Sequence, residues 1–239
     1  MEYTYRQQEI LEYLKQRHFA SVTELSHVIF MSEATVRRDI QKLEEKGILK
    51  SVYGGVVISE YANDVVPVAL RDGENADKKE KIALEAASLI QDNDTVIFDS
   101  SSTVRRICRH IKNRKNLTII TNNLRVCQEF KDSDVHLYCT GGALIPRREC
   151  FVGPMTERFI NEIRADKLFF SAQGLSADGT VTDSSEEEIS LRKVMFTRSR
   201  EHYFLCDSSK FNREFSFQLC TLSDITRVIV DIPMTKPEG

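Results

Sequence analysis

The chain has 239 residues, 41% of them hydrophobic and 29% charged, with a formal net charge of −3, which suits a soluble globular protein of one large domain or two smaller ones. No apolar run approaches the roughly 18 residues of a membrane span, and Met1 to Arg6 lacks the basic-then-apolar pattern of a secretory signal. The six cysteines (Cys108, Cys127, Cys139, Cys150, Cys206 and Cys220) form no CxxC pair and have no histidine at ligand spacing, so reduced thiols in a cytoplasmic protein are expected, with no metal and no cofactor.

Residues 3–17 read as a first helix, with Ile10, Leu11 and Leu14 turned inward. Ser21-Val-Thr-Glu24 has the spacing of a capping box, and Leu25, Val28 and Ile29 follow it as an apolar stripe. Little more than Phe30-Met31 separates this from a second start at Ser32, a plausible cap for the helix that follows. In that helix Val36, Ile40 and Leu43 recur at i, i+4 and i+7 on one face, leaving Ala34, Thr35, Arg38, Gln41 and Lys42 roughly opposite and Arg37 on the flank. Gly47 can end the helix, and residues 48–58 are β-prone around Gly54-Gly55, as a hairpin wing would be.

Two short capped helices followed by such a hairpin read as a winged helix-turn-helix. In that arrangement the second helix enters the major groove, with its N-terminal side chains at base edges. Arginine suits forked contacts with guanine or phosphate. Alternatively, Arg37-Arg38-Asp39 is only a solvated charged face; the ordered combination of caps, stripes and hairpin favours the groove. Charge argues the other way, because residues 1–60 carry eight Lys/Arg against nine Asp/Glu. A head without basic excess has little nonspecific affinity for phosphates, so useful binding is expected to need two or more copies joined as a homo-oligomer.

The run from Ser32 to Gly47 followed by Tyr53-Gly-Gly55 resembles the signature of the DeoR family of transcriptional regulators: a Ser, then Thr-Ile-Arg-Arg-Asp-Leu, a Leu, a Gly and a His-Gly-Gly. Tyr53 stands where the family has His. The resemblance implies DNA contacts from Ser32, Ala34, Thr35, Arg37, Arg38, Gln41, Lys42, Tyr53 and Gly54.

From residue 59 to 77 the period dissolves among Asn, Asp and Pro, the composition of a linker, although Arg71, Asn75 and Lys79 match positions the family tends to share. The expected division is thus 1–58 as DNA-binding head, 59–77 as linker and 78–239 as a second domain. Within that domain, helical periods at 81–90, 103–111, 124–130, 154–163 and 186–198 alternate with short apolar strands at 95–98, 117–120, 135–139, 167–170, 202–206 and 227–230. Such alternation indicates an α/β fold: a mostly parallel sheet with helices on both faces.

Open parallel sheets bind ligands beyond the C-terminal ends of their strands. The residues there are Asp99-Ser100-Ser101-Ser102-Thr103, Thr121-Asn122-Asn123, Thr140-Gly141-Gly142, Ser171-Ala-Gln-Gly174 and Asp207-Ser-Ser-Lys210. Ser100–Thr103 leads into a helix, whose first-turn N–H groups would favour an anion, and Lys210 would supply the charge a phosphate needs. Polar turns alone could explain each loop; five on one edge favour a small-molecule site. They also resemble the family's effector domain, with its Asp-x-Gly-Thr-Thr, Thr-Asn, Gly-Gly and Asp-Ser-Ser-Lys stretches, although Ser101 replaces the usual Gly. That domain is similar in fold to phosphosugar isomerases, which implies a phosphorylated sugar or related effector.

The expected function is therefore a sugar-responsive transcription regulator, a repressor, rather than an enzyme. Two other readings stand beside it. A phosphosugar isomerase with a DNA-binding head would need a base near pKa 7, for which Asp99, Asp166, Asp183 and Glu188 are candidates. A second domain that binds a protein would show no small-molecule response.

Overall fold

The computed structural model describes residues 3–17, 19–52, 54–58, 72–146 and 148–232. The chain forms two compact units that divide between Glu74 and Asn75. Of the stretch 59–77 read as linker, residues 59–71, Arg71 among them, lie outside the described residues, as does Tyr53, while Ala76 and Asp77 belong to a helix. Among the described residues no helix is long and apolar enough to cross a membrane.

The first unit opens on α1 (Tyr5–Arg17), then β1 (Phe19–Ala20), α2 (Val22–Val28), α3 (Glu33–Glu45), β2 (Leu49–Val52) and β3 (Gly55–Ile58). Ile10, Leu14, Leu25, Val36, Ile40 and Leu43 meet in one core. Val28, expected on the apolar stripe, is exposed instead, as are Phe30 and Met31 in the turn. Ser21 caps α2 by accepting from the Glu24 N–H at 3.0 Å, but the Glu24 carboxylate takes the Tyr13 hydroxyl at 2.6 Å. The box signal thus marks a helix start and also ties α2 to α1. Gly47 ends α3 at φ +69°, with its own N–H on the Glu44 carbonyl and that of Ile48 on Leu43, the paired bonds that close a left-handed helix end.

The wing pairs Leu49 with Ile58 and Val52 with Gly55, and β1 adds a third strand that the sequence reading left out. A Cβ on Gly55 would lie 2.2 Å from the Ala20 carbonyl and 2.7 Å from the Phe19 ring. Gly55→Ala is therefore expected to destabilise this unit by about 1–3 kcal/mol through overpacking, read as a lower denaturation midpoint of the head; an unchanged midpoint would mean β1 can move aside.

The second unit is built on six strands in the order β14-β12-β9-β4-β5-β6, with every neighbouring pair parallel. They are β4 (Thr95–Phe98), β5 (Thr118–Thr121), β6 (His136–Cys139), β9 (Ala165–Phe170), β12 (Ser199–Cys206) and β14 (Arg227–Val230). Their apolar runs feed two cores, one around Phe98, Phe169 and Ile82 and one around Phe170, Phe204 and Met195, as expected of a sheet covered on both faces.

The helices are α4 (Ala76–Ser88), α5 (Ser102–Arg105), α6 (Cys108–Ile111), α7 (Leu124–Glu129), α8 (Pro154–Asn161) and α9 (Glu186–Arg198). Helix α4 starts five residues earlier than the apolar pattern suggests, so Lys78 and Lys79 belong to it rather than to its approach. The single helix expected at 103–111 is instead two single turns. Missing from the sequence reading are the hairpin of β7 (Ala143–Ile145) and β8 (Cys150–Val152) and a small antiparallel sheet of β10 (Gly174–Leu175), β11 (Thr180–Asp183) and β13 (Phe217–Thr221).

Candidate functional sites

In the head, Ser32 caps α3 by accepting from the Thr35 N–H at 3.3 Å, and the two hydroxyls lie 3.0 Å apart. Ser32, Ala34, Arg37, Arg38, Gln41 and Lys42 are exposed and Thr35 is half-buried, while Val36, Asp39, Ile40 and Leu43 are buried. Helix α3 therefore offers one polar face beginning at a capped N-terminus, the geometry of a groove-reading helix. Asp39 is no part of that face: it accepts from Arg6 of α1 at 2.9 Å and pins the two helices together. Arg37 is held toward Glu33 at 3.2 Å, and Gln41 reaches Glu45 at 3.2 Å. Gly54 occupies the wing turn at φ +85°, where a residue without Cβ is needed.

In the second unit the loops after β4, β9 and β12 converge. The Ser171 N–H donates to Asp99 Oδ2 at 3.1 Å. Lys210 Nζ donates to Ser171 Oγ at 2.7 Å and lies 3.9 Å from Asp207 Oδ2. From α4, Lys79 donates to Ser102 Oγ at 3.3 Å and Lys78 to Ser208 Oγ at 2.8 Å, and Asn75, just before that helix, donates to Ser209 Oγ at 3.0 Å. Burial raises the Asp207 pKa, but Lys210, the Ser209 hydroxyl and Lys79 outweigh it and hold the carboxyl below its usual range. Two ammonium groups thus stand beside a buried carboxylate and a row of hydroxyls where these strands end.

Beside this lies a buried charge cluster. Arg192 donates to Asp99 at 3.0 Å and to Asp183 at 2.8 Å and sits 3.6 Å from Glu188. Glu188 also accepts from Arg148 and from the Ser100 hydroxyl. Arg148 arrives on the β7–β8 hairpin, which docks on the loop after β5 through Phe151 N–H to Asn122 O at 2.8 Å. Burial opposes the Arg192 charge, yet Asp183, Asp99 and Glu188 outweigh it and raise its pKa.

Several residues expected at the ligand have their side chains committed to the fold. Asp99 holds Arg192 and the Ser101 N–H, and Ser100 holds Glu188. The Thr121 hydroxyl donates to the Phe98 carbonyl at 2.9 Å, and Asn123 caps α7 by accepting from the Arg125 and Val126 N–H groups. Ser101 spends its hydroxyl on the Val104 N–H at 3.2 Å, and α5 is one turn long, so the expected anion site at a helix start is reduced. Thr103 is buried. Gly142 packs where a Cβ would lie 2.1 Å from the Thr156 hydroxyl, whereas Gly141, at φ +63°, has open space beside it.

What remains available is a smaller set. It comprises Ser102, Lys210 and Asn122; the Asn122 amide N–H donates to the Phe151 carbonyl at 2.9 Å while its buried Oδ1 has no partner among the described residues.

Of the candidate bases, Asp99, Asp183 and Glu188 all face arginines. Asp166 sits at the opposite end of the sheet, accepting the Thr95 N–H at 2.9 Å, with Arg200 at 3.5 Å.

The buried cations had a sequence signal. Lys79 continues the stripe Ile82, Ala83 and Ala86 at the helical period, and Glu188 and Arg192 alternate with Leu191 and Met195 on the buried face of α9. A charge on an apolar stripe needs a partner, and here the partners are the site.

Comparison with known proteins follows the same division. Residues 6–61 match the family described as DeoR-like helix-turn-helix domain, and residues 74–232 match the DeoR C terminal sensor domain. The "Uncharacterized HTH-type transcriptional regulator YulB" of Bacillus subtilis is 33% identical over 95% of this chain and 88% of its own. The "Lactose phosphotransferase system repressor" of Staphylococcus epidermidis is 33% identical over 95% of this chain and 91% of its own. Among solved structures, translation initiation factor eIF-2B from Pyrococcus horikoshii OT3 superposes with a TM-score of 0.53, covering 99% of this chain and 98% of that one at 16% identity. That likeness concerns fold alone.

Proposed function

The chain belongs to the DeoR family of helix-turn-helix transcriptional regulators, and from that premise we propose that it is a cytoplasmic repressor of sugar-metabolism genes. Its effector is a phosphorylated sugar or related intermediate. The observation that carries this reading is Lys210 and Lys79 set among Ser102, Ser171 and Asp207 where the strands end. Two ammonium groups and several hydroxyls suit a phosphate monoester carrying hydroxyl groups of its own. The name of the lactose-system relative supports a carbohydrate link.

Binding of the effector is assigned to Lys210, Ser102, the Asn122 side-chain Oδ1 and the backbone of Gly141 and Gly142, with Lys79 added from α4 and Ser101 shaping the turn through its bond to Val104. Asp99, Ser100, Thr103, Thr121 and Asn123 shape the loops from behind. The pairing of Asp99, Asp183 and Glu188 with Arg192 and Arg148 supports a sensor rather than an isomerase. A carboxylate that neutralises an arginine is poorly placed to take a proton from a sugar carbon.

Operator DNA is read by Ser32, Ala34, Thr35, Arg37, Arg38, Gln41 and Lys42. The head, with no basic excess, works as a homo-oligomer. Arg38→Ala is expected to weaken operator binding by about 1–3 kcal/mol per head with folding intact, because Arg38 is exposed on the face of α3 opposite its buried residues. Unchanged affinity in a folded variant would place the reading face elsewhere on α3.

The direct test of the effector is a thermal-shift screen against sugar phosphates and their unphosphorylated parents. A ligand bound to the folded state raises its apparent stability by mass action. A phosphate ester that stabilises while its parent does not supports the proposal. A panel without any shift would favour a domain that binds a protein.

A further inference from the structure

In the second unit β6 is the last strand of its sheet, and among the described residues no strand pairs with its outer edge. The ladder to β5 fixes which backbone groups point outward. His136 N–H donates to the Leu117 carbonyl at 2.9 Å and Thr140 N–H to the Thr121 carbonyl at 3.0 Å, and in a parallel pair alternate residues face the neighbour. Tyr138 therefore also faces β5. The N–H and C=O groups of Leu137 and Cys139 point away and have no partner among the described residues.

The side chains beside this edge are apolar. Tyr138 is 53% exposed, Leu144 of β7 44% and Met155 of α8 71%, three of the five large hydrophobic side chains exposed among the described residues of this unit. Thr156, next to Met155, donates to the Gly141 carbonyl at 2.7 Å, which sets the first turn of α8 against the end of β6. Tyr138 stands opposite Ile120, and Ile120 shares a core with Ile160 of α8, so Tyr138 and α8 lie on one face of the sheet. Strand β6 has no lysine, carboxylate or proline, the residues that discourage pairing at an edge. The opposite edge, β14, carries Arg227, paired with Glu85 at 2.6 Å.

We propose that the β6 edge is the interface with a second copy of this chain, the two β6 strands pairing antiparallel about a two-fold axis at Tyr138. This rests on the homo-oligomer reading above and names its surface. An axis at Tyr138 uses every outward-pointing backbone group of the strand. Leu137 of one copy stands opposite Cys139 of the other, and each such pair exchanges both N–H···O=C bonds. The two Tyr138 residues form the central non-hydrogen-bonded pair, where side chains approach most closely on one face, and Leu144 and Met155 flank the joined edge. An edge whose outward groups satisfy their own copies suits a two-fold contact, in which one patch meets itself. The head supplies the need for that copy: without basic excess, one head has little hold on phosphates and two joined heads have far more.

The test uses the full chain. Sedimentation velocity of the wild type should give an even-numbered oligomer. Tyr138→Lys sets like charges directly opposite each other and should halve that mass, with the circular dichroism unchanged because Tyr138 is exposed in the single chain. Tyr138→Cys should link two chains under mild oxidation, since the Cα atoms of a non-hydrogen-bonded antiparallel pair lie about 4.5 Å apart, within the span of a disulfide. Tandem mass spectrometry should place the link at position 138. The two native Cys139 residues lie diagonally across the pair, about 7–8 Å apart, too far to be bridged, so the wild type should stay unlinked. An oligomer that keeps its mass in Tyr138→Lys, or a Tyr138→Cys protein that stays unlinked or links only through Cys139, would overturn this surface and leave the homo-oligomer reading standing. A monomeric wild type would overturn both.

Discussion

Arg192→Met is expected to destabilise the second unit by about 3–5 kcal/mol, the range for breaking a buried ion pair by removing one partner. Methionine can fill much of the volume, so the loss is one of charge. In the wild type the guanidinium donates to Asp99 and Asp183 and lies beside Glu188, all of them buried. Without it, Asp99 and Asp183 lose the guanidinium that neutralises them, while Glu188 keeps Arg148. Urea unfolding of the full chain, followed by a probe in each unit, should show the second unit melting early and the head unchanged. A loss below about 1 kcal/mol would mean that water replaces the guanidinium, as at exposed pairs.

The cluster around Arg192 also marks the limit of reading this fold from sequence. The six parallel strands and the helices between them were legible because short apolar runs and helical periods differ so plainly, and Ser32 and Gly47 announced both ends of α3. The antiparallel pieces were not. Strands β7 and β8 contribute only three residues each, too few to show a period. Their role appears only in three dimensions, where the hairpin brings Arg148 to Glu188.

The candidate site was half legible. The strand-end rule selects loops that the fold brings together after β4, β9 and β12, with Lys210 on Ser171 and Ser171 on Asp99. It could not tell which side chains face outward. Asn123 and Thr121 have the polar character of ligand contacts, but Asn123 caps its own helix and Thr121 bonds the Phe98 carbonyl of the neighbouring strand and the Asn123 N–H. The long-range partners, Lys79 and Arg192, sat on helices, outside a search confined to loops.

Lys210→Ala is expected to weaken effector binding by roughly one to two orders of magnitude. A charge-assisted contact to a phosphate is worth about 1.5–3 kcal/mol, and the Lys210 ammonium, 17% exposed in its side chain, is partly shielded from the water that would weaken it. The substitution also removes the hydrogen bond to Ser171 and part of the field that keeps Asp207 ionised. Because the Asp207 pKa is depressed by folding, its contribution to stability is present above the ordinary carboxylate range and is lost as pH falls through the depressed value. The comparison therefore belongs at neutral pH, with the melting temperature of each protein recorded. Adding Asp207→Asn to Lys210→Ala removes the unpaired carboxylate and separates stability from ligand grip: the double variant should regain stability and still bind the sugar phosphate weakly. Operator binding without effector should match wild type in both. A single variant that responds at the wild-type effector concentration would make Lys210 a turn residue and move the phosphate elsewhere.

The central claim is that one chain couples operator DNA to a phosphorylated sugar, and the measurement closest to it is an operator-binding titration of the full-length protein. Fluorescence anisotropy of a labelled operator duplex would be followed at fixed salt, without effector and with each sugar phosphate at saturation. Allosteric coupling of about 1–3 kcal/mol corresponds to a 5- to 150-fold change in affinity. At least one sugar phosphate should shift the operator Kd within that range, with its unphosphorylated parent inactive and Lys210→Ala requiring far more ligand. Operator affinity that stays constant across the whole panel, in a protein that binds the duplex specifically, would contradict the account.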